Sequence, residues 1–161
     1  MIRNLLFSTF FFSGIIVISI ILLPSFFLPQ KVVQFGGKVM GYWTGFCLKF
    51  FLSTNIEIKG KENIIQNEKF FIAASHQSMF ETFYLQTIFN SPIFILKKEL
   101  IFIPIFGWYL KKIGSISIKR NRVSKDNLSF FDNISKVLLK SSRPLIIFPQ
   151  GTRVLPDQRP S

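Results

Sequence analysis

The alternation of apolar and polar positions divides the chain into two unlike stretches. From Asn4 to Gln30 no residue is ionisable, and the run Leu5 to Leu23 approaches the roughly 20 apolar residues that a helix needs to cross a bilayer core. Ser8, Thr9, Ser13, Gly14 and Ser19 dilute it and Pro24 and Pro29 end it, so a spanning helix and a helix lying in the interface both fit. A second apolar segment, Gly41 to Leu52, is broken only by Lys49 and carries Tyr42 and Trp43, types that favour the headgroup layer; it reads as an interfacial helix or as a core helix. Beyond it, short apolar runs alternate with helical stretches, the signature of an α/β domain. The expected strands are Ile56 to Lys59, Phe70 to Ala74, Ile93 to Leu96, Ile113 to Ile118 and Leu145 to Phe148, and the expected helices are Ser78 to Phe89 and Asp126 to Leu139. In the second helix Leu128, Phe131, Ile134, Val137 and Leu138 recur at three- and four-residue steps, so one face is buried. The expectation is an α/β fold, a mixed sheet with flanking helices, preceded by an N-terminal membrane-associated helical pair. Residues 1–52 form the anchor and 53–161 the folded domain.

Composition sharpens this picture. Hydrophobic residues make up 48% of the 161, with 21 Phe, too apolar for a disordered chain and rather apolar for a soluble one. A membrane is therefore expected. The formal charge of +12, from 20 Lys and Arg against 8 Asp and Glu, favours a polyanionic partner, nucleic acid or an anionic bilayer. Nucleic acid is the weaker choice, because the aromatics lie in apolar runs and no helix-turn-helix, RNP-type strand or zinc spacing is present. A cleaved leader fits poorly: Arg3 is the sole basic residue before the apolar run, and no small-x-small site follows it. The remaining basic residues begin at Lys31 and Lys38, so the positive-inside rule puts the folded part on the cytoplasmic side. Cys47, the single cysteine, has no thiol to pair with, and no metal site is expected.

Three places could carry chemistry. In Ser75-His76-Gln77-Ser78-Met79-Phe80-Glu81, an apolar strand runs into the only histidine of the chain. A strand end puts the imidazole where α/β folds bind ligands, and imidazole is suited to taking a proton near neutral pH. Glu81 could hold the other ring nitrogen and so fix the tautomer. Both residues have plainer readings, since a lone histidine is more often structural, and Ser78 to Glu81 fits an S-x-x-E capping box. The second place is Gly114 to Arg120, an alternating strand finishing in a basic cluster; Arg120 could grip a phosphate through two parallel hydrogen bonds, or the cluster could be a solvated turn. In the third, Pro144 to Arg153, an apolar run stops at Pro-Gln-Gly. There Gly151 allows backbone N–H groups near an anion and Arg153 adds charge, although an ordinary turn fits as well.

Taken in order, these segments resemble the lysophospholipid acyltransferase family, in the 1-acylglycerol-3-phosphate acyltransferase type. That family carries H-x-x-x-x-D, a strand block ending in Arg, and F-P-E-G-T-R. The corresponding stretches are His76 to Glu81, GSISIKR ending at Arg120, and FPQGTR from Phe148 to Arg153. Leu96 to Leu100 and Ile103 to Trp108 resemble the K-K-E-L and I-P-x-F-G-W run. The resemblance implies His76 as general base and Glu81 as its orienting carboxylate. It implies that Arg120 binds the acceptor phosphate and that Gln150, Gly151, Thr152 and Arg153 shape the glycerol phosphate pocket. It further implies acyl transfer from acyl-CoA or acyl carrier protein to lysophosphatidate, giving phosphatidic acid beside membrane phospholipid, with no cofactor beyond that co-substrate. Glu81 stands for the usual Asp, Lys119 for a common Asp and Gln150 for the usual Glu. Family members continue past the third block, so the expected domain is incomplete at its C-terminus, and a non-catalytic lipid-binding protein or inactive fragment is the alternative. Direct transfer is expected, because a thioester is already activated and no G-x-S-x-G elbow is present.

Overall fold

Free of charge beyond Arg3, the N-terminal run folds as helix α1 (Ile2–Ile21), apolar on all sides and leaving Leu5, Phe12, Ile16 and Ile20 exposed. The computed structural model describes residues 1–64, 70–118 and 126–150, with the backbone alone at 126–131 and 133. These fall into two compact units, Met1–Gln66 with Ser78–Ser91, and Asn67–Gln77 with Pro92–Ser161. The helical unit takes in helix α3 (Phe80–Ile88), which patterning alone groups with the strands.

In the helical unit a turn of 3₁₀ helix at Leu23–Phe27, opened by Pro24, reverses the chain into helix α2 (Gln30–Leu52). The two helices run antiparallel. Arg3 closes the open end of this hairpin: its Nε donates to Phe51 O at 2.9 Å and a terminal nitrogen donates to Ser53 Oγ at 2.9 Å. Phe51 O belongs to the last turn of α2, where a cation meets the negative end of the helix dipole. Trp43 lies over Gly14, where a Cβ would collide with the indole, and its Nε1 donates to Phe11 O at 3.3 Å. Phe11, Cys47 and Phe83 form the buried centre, lined by Phe7, Ile15, Met40, Trp43, Phe51 and Met79. The approach of α3 to α2 depends on Gly37, Gly41 and Gly45, spaced one turn apart on one face. They sit against Gln86, against Phe83 O and Thr87, and against the Tyr84 ring respectively.

In the other unit strands β1 (Phe71–Ala73), β2 (Ile93–Lys97), β3 (Ile116–Ile118) and β4 (Leu145–Ile147) form a sheet of order β1-β4-β2-β3. The α/β architecture with flanking helices is as expected; all pairings among the described strands are parallel, and the antiparallel strand that a mixed sheet needs is not among them. Parallel strands are covered on their faces and hence continuously apolar, as IFIL and LII are. Ile93, Ile95, Ile116 and Leu145 form the core, with Ile134, Val137 and Leu138 of helix α5 (Asp126–Lys140) packed on it.

Two expected strands are corrected. Ile56 to Lys59 is irregular: no strand pairs with it among the described residues, Ile58 is exposed, and the Glu57–Lys59 ion pair (3.5 Å) lies in solvent. Its alternation came without an edge to join. The run from Ile113 is helix before it is strand, because Ile113 ends helix α4 (Phe106–Ile113) and Gly114, at φ 90°, stops it. Gly114 N–H and Ser115 N–H take the last carbonyls, of Lys111 and Leu110, at 3.0 Å each, so β3 starts only at Ile116. Arg143 fastens this corner, donating to Ile113 O at 2.8 Å and Pro92 O at 3.2 Å. Burial lowers its pKa from the ordinary arginine value, and carbonyl oxygens stand where water would otherwise solvate the guanidinium.

Candidate active site

Because β1 and β4 are parallel neighbours, their C-terminal ends leave the sheet side by side. Ala73 pairs with Ile147, and one further bond, Ala74 N–H to Ile147 O at 2.9 Å, holds the chains together past the ladder. Side chains alternate along each strand, so Phe148 continues the face of Ile146, and His76 continues that of Ile72. The result is that the His76 ring lies over the Phe148 ring, centroids 4.4 Å apart and planes 32° from parallel. His76 is half-buried, with Nδ1 shielded from solvent. An imidazole packed in this way is limited in how it can turn, which a proton-transfer group needs.

Gln150, two residues beyond Phe148, meets the same turn. Its Oε1 accepts from the His76 backbone N–H at 3.3 Å and its Nε2 donates to Ser75 Oγ at 3.1 Å. His76 of the first block and Gln150 of the third, separated by more than 70 residues, thus meet in one unit. Ser75 and Phe148 were not singled out from the sequence as site residues. The signal for them is the shared ending of FIAAS and IIFPQ, apolar runs that both break into a turn, and it becomes readable only once the strand order is known.

Glu81 lies in the first turn of α3, in the helical unit, the chain passing from one unit to the other between Gln77 and Ser78. Its carboxylate accepts from Ser78 N–H at 2.9 and 3.2 Å, and Ser78 Oγ accepts from Phe80 N–H at 3.0 Å. This is the capping arrangement that S-x-x-E suggests, with Ser78 as the cap. Arg120, Gly151, Thr152 and Arg153 lie outside the described residues, as do Lys119, Arg122 and Lys125.

Comparison with known proteins covers this site. The family model Acyltransferase matches residues 55–159, a stretch holding His76, Glu81, Arg120 and Phe148 to Arg153. A 1-acyl-sn-glycerol-3-phosphate acyltransferase of Pseudomonas aeruginosa is 37% identical over 98 residues, covering 61% of this chain and 37% of that protein. One from Helicobacter pylori is 35% identical over 108 residues, covering 66% and 44%. The chain therefore spans less than half the length of these relatives. The crystal structure of the 1-acyl-sn-glycerophosphate acyltransferase PlsC from Thermotoga maritima superposes with a TM-score of 0.69 at 27% identity, over 97% of this chain and 64% of that one. With the matched stretch covering well over half the sequence, and with its first and third blocks joined at the end of one parallel sheet, the chain belongs to the acyltransferase family.

Proposed function

We propose that this domain moves a fatty acyl group from a thioester, acyl-CoA or acyl carrier protein, to the free hydroxyl of 1-acylglycerol-3-phosphate, giving phosphatidic acid. The observation that carries the reading is the position of His76, at the C-terminal end of a parallel strand and seated on Phe148. The matched relatives, named for transfer to that acceptor, support it. In the proposed step the acceptor hydroxyl gives its proton to His76 as its oxygen attacks the thioester carbonyl. A C–O bond forms, the tetrahedral oxyanion collapses, the C–S bond breaks, and the carrier thiolate takes the proton back from the imidazolium. Glu81 steadies that imidazolium, Arg120 holds the acceptor phosphate, and Gln150, Gly151, Thr152 and Arg153 shape the glycerol phosphate pocket.

The helical hairpin is the proposed membrane anchor. α1 is the one helix among the described residues long and apolar enough to cross a bilayer, with mean hydropathy 2.1. Yet Arg3 holds its start to the end of α2, so both ends of the pair lie at one end of the hairpin, with Lys31 near the turn at the other. In a spanning pair Lys38, within α2, would lie in the bilayer core, and a lysine at the bilayer centre costs about 2.5–3.5 kcal/mol. This favours a pair lying in the interface, with the acyltransferase domain on the cytoplasmic side. Labelled acyl transfer to lysophosphatidate, wild type against His76→Ala, tests the activity: loss of a general base lowers the rate roughly 10²- to 10⁴-fold. Equal rates in the two proteins would sink the assignment. Binding of lysophosphatidate with no turnover would favour the second reading, a lipid-binding role in which Glu81 serves as a helix cap alone.

A further inference from the structure

We propose that the Phe148 ring takes part in the transfer step through charge: its π face stabilises the imidazolium that His76 becomes on taking the hydroxyl proton. The inference rests on the proposed acyl transfer and adds a residue to that same site. It starts from one face of the sheet. Ile72, Ile146 and Phe94 stand abreast on neighbouring parallel strands, so their side chains share a face, which Phe148 and His76 continue beyond β4 and β1. The Phe148 ring thus has the imidazole towards β1 and the Phe94 ring towards β2. Phe94 is only 4% exposed and lies nearly parallel to Phe148, planes 14° apart and centroids at 6.3 Å, an offset arrangement that aromatic pairs favour. A ring backed in this way offers a steady surface to His76. With centroids 4.4 Å apart and planes 32° from parallel, the imidazole lies over the electron-rich face, well within the roughly 6 Å at which such a face attracts a cation. Neutral imidazole gains little from the ring's quadrupole. The charged ring gains the full attraction, the more so because His76 is half-buried with Nδ1 shielded from water. The contact is therefore stronger once the proton has moved, which is the condition for raising kcat. Phe148 acts through His76, as a positioning residue whose contribution is charge as well as place.

The experiment keeps the ring and removes its quadrupole. Mono-, di-, tri- and pentafluorophenylalanine are placed at position 148 by nonsense suppression in the full chain, held in lipid nanodiscs; each fluorine withdraws electron density from the face with little change of shape. Acyl transfer to lysophosphatidate is followed at a pH where His76 rests neutral. Along the series kcat falls stepwise, by about 2- to 30-fold at the pentafluoro ring, the span of a cation–π contact, with KM for the acceptor unchanged. His76 is the only histidine of the chain, so NMR of histidine-labelled protein reads its charge without any turnover. At equal pH the ratio of imidazolium to imidazole drops along the same series by a similar factor. The upfield ring-current shift of the His76 C–H signals shows that each fluorinated ring still lies under the imidazole, and Phe148→Leu abolishes that shift. Should the larger rings disturb the stack, the monofluoro ring, nearly the size of phenylalanine, still decides the sign. A kcat that stays flat along the series, a loss confined to KM, or a charge ratio that does not move would each overturn the proposal. If His76→Ala turns over like wild type, the acyl-transfer reading fails while the charge ratio still judges the contact.

Discussion

Replacing Glu81 by Gln separates the two tasks that one carboxylate could serve. Its oxygens lie 2.9 and 3.2 Å from Ser78 N–H at the start of α3, and Gln keeps an oxygen to accept that hydrogen bond. What is lost for the helix is a negative charge at its N-terminus, about 0.3–1 kcal/mol. At about 2–4 °C per kcal/mol for a chain of this size, the melting temperature falls by roughly 1–4 °C. Glu81→Ala removes the hydrogen bond as well, and lost caps cost about 0.5–2 kcal/mol, so the fall is larger, roughly 1–8 °C. Activity should not follow that order. If the carboxylate stabilises an imidazolium at His76, an amide of the same shape abolishes the effect; the equivalent change in a serine-protease triad lowers kcat about 10⁴-fold. The expected outcome is a small stability loss with at least a roughly 100-fold loss of kcat in Glu81→Gln. Thermal melts by circular dichroism and labelled acyl transfer at saturating lysophosphatidate measure the two. A variant that melts slightly lower yet turns over within twofold of wild type would refute the orienting role and leave Glu81 as a cap.

Other consequences follow from packing. A Cβ at Gly41 would stand 2.7 Å from Phe83 O, a backbone atom that cannot yield, so Gly41→Ala should destabilise by about 1–3 kcal/mol in urea melts. At Gly45 the nearest atom is the Tyr84 ring at 3.1 Å, which can shift; there Ala should be near neutral, its higher helix propensity of up to about 1 kcal/mol offsetting the crowding. Phe46 and Phe50 form a stacked, exposed ladder on α2, centroids 5.6 Å apart. With about 1.5–3 kcal/mol available per fully buried Phe, changing both to Asp should weaken binding to anionic vesicles at least roughly 100-fold, measured by flotation. Arg143→Met removes the donors at Ile113 O and Pro92 O and should lower stability by about 2–4 kcal/mol in the same melts.

The sequence carried the fold wherever the pattern was local. FIA, IFIL and LII are short apolar runs bounded by polar or turn residues, and α5 shows its buried face through Ile134, Val137 and Leu138. Helix α4 escaped that reading because it has only 8 residues, begins just after Pro104 and carries Gly107, whose missing side chain admits the Ile101 carbonyl. The first half of α2 was hidden for a related reason: Gly36, Gly37 and Gly41 suggest a turn, yet the structure uses them for close helix contact. At the site, His76 and Gln150 could be singled out by residue type and resemblance. Their hydrogen bond could not, because it depends on β4 lying next to β1, a pairing that no local pattern specifies.

The neighbour relation of β1 and β4 also bears on how the molecule comes into being. Strand β1 acquires its ladder partner from residues more than 70 positions further along, a contact of high order whose loop must close before any bond rewards it. On the ribosome, therefore, the turn that holds His76 has no Phe148 ring to rest on and no amide to grip it until that later strand has emerged. The geometry on which the imidazole depends cannot assemble before β4 has been made.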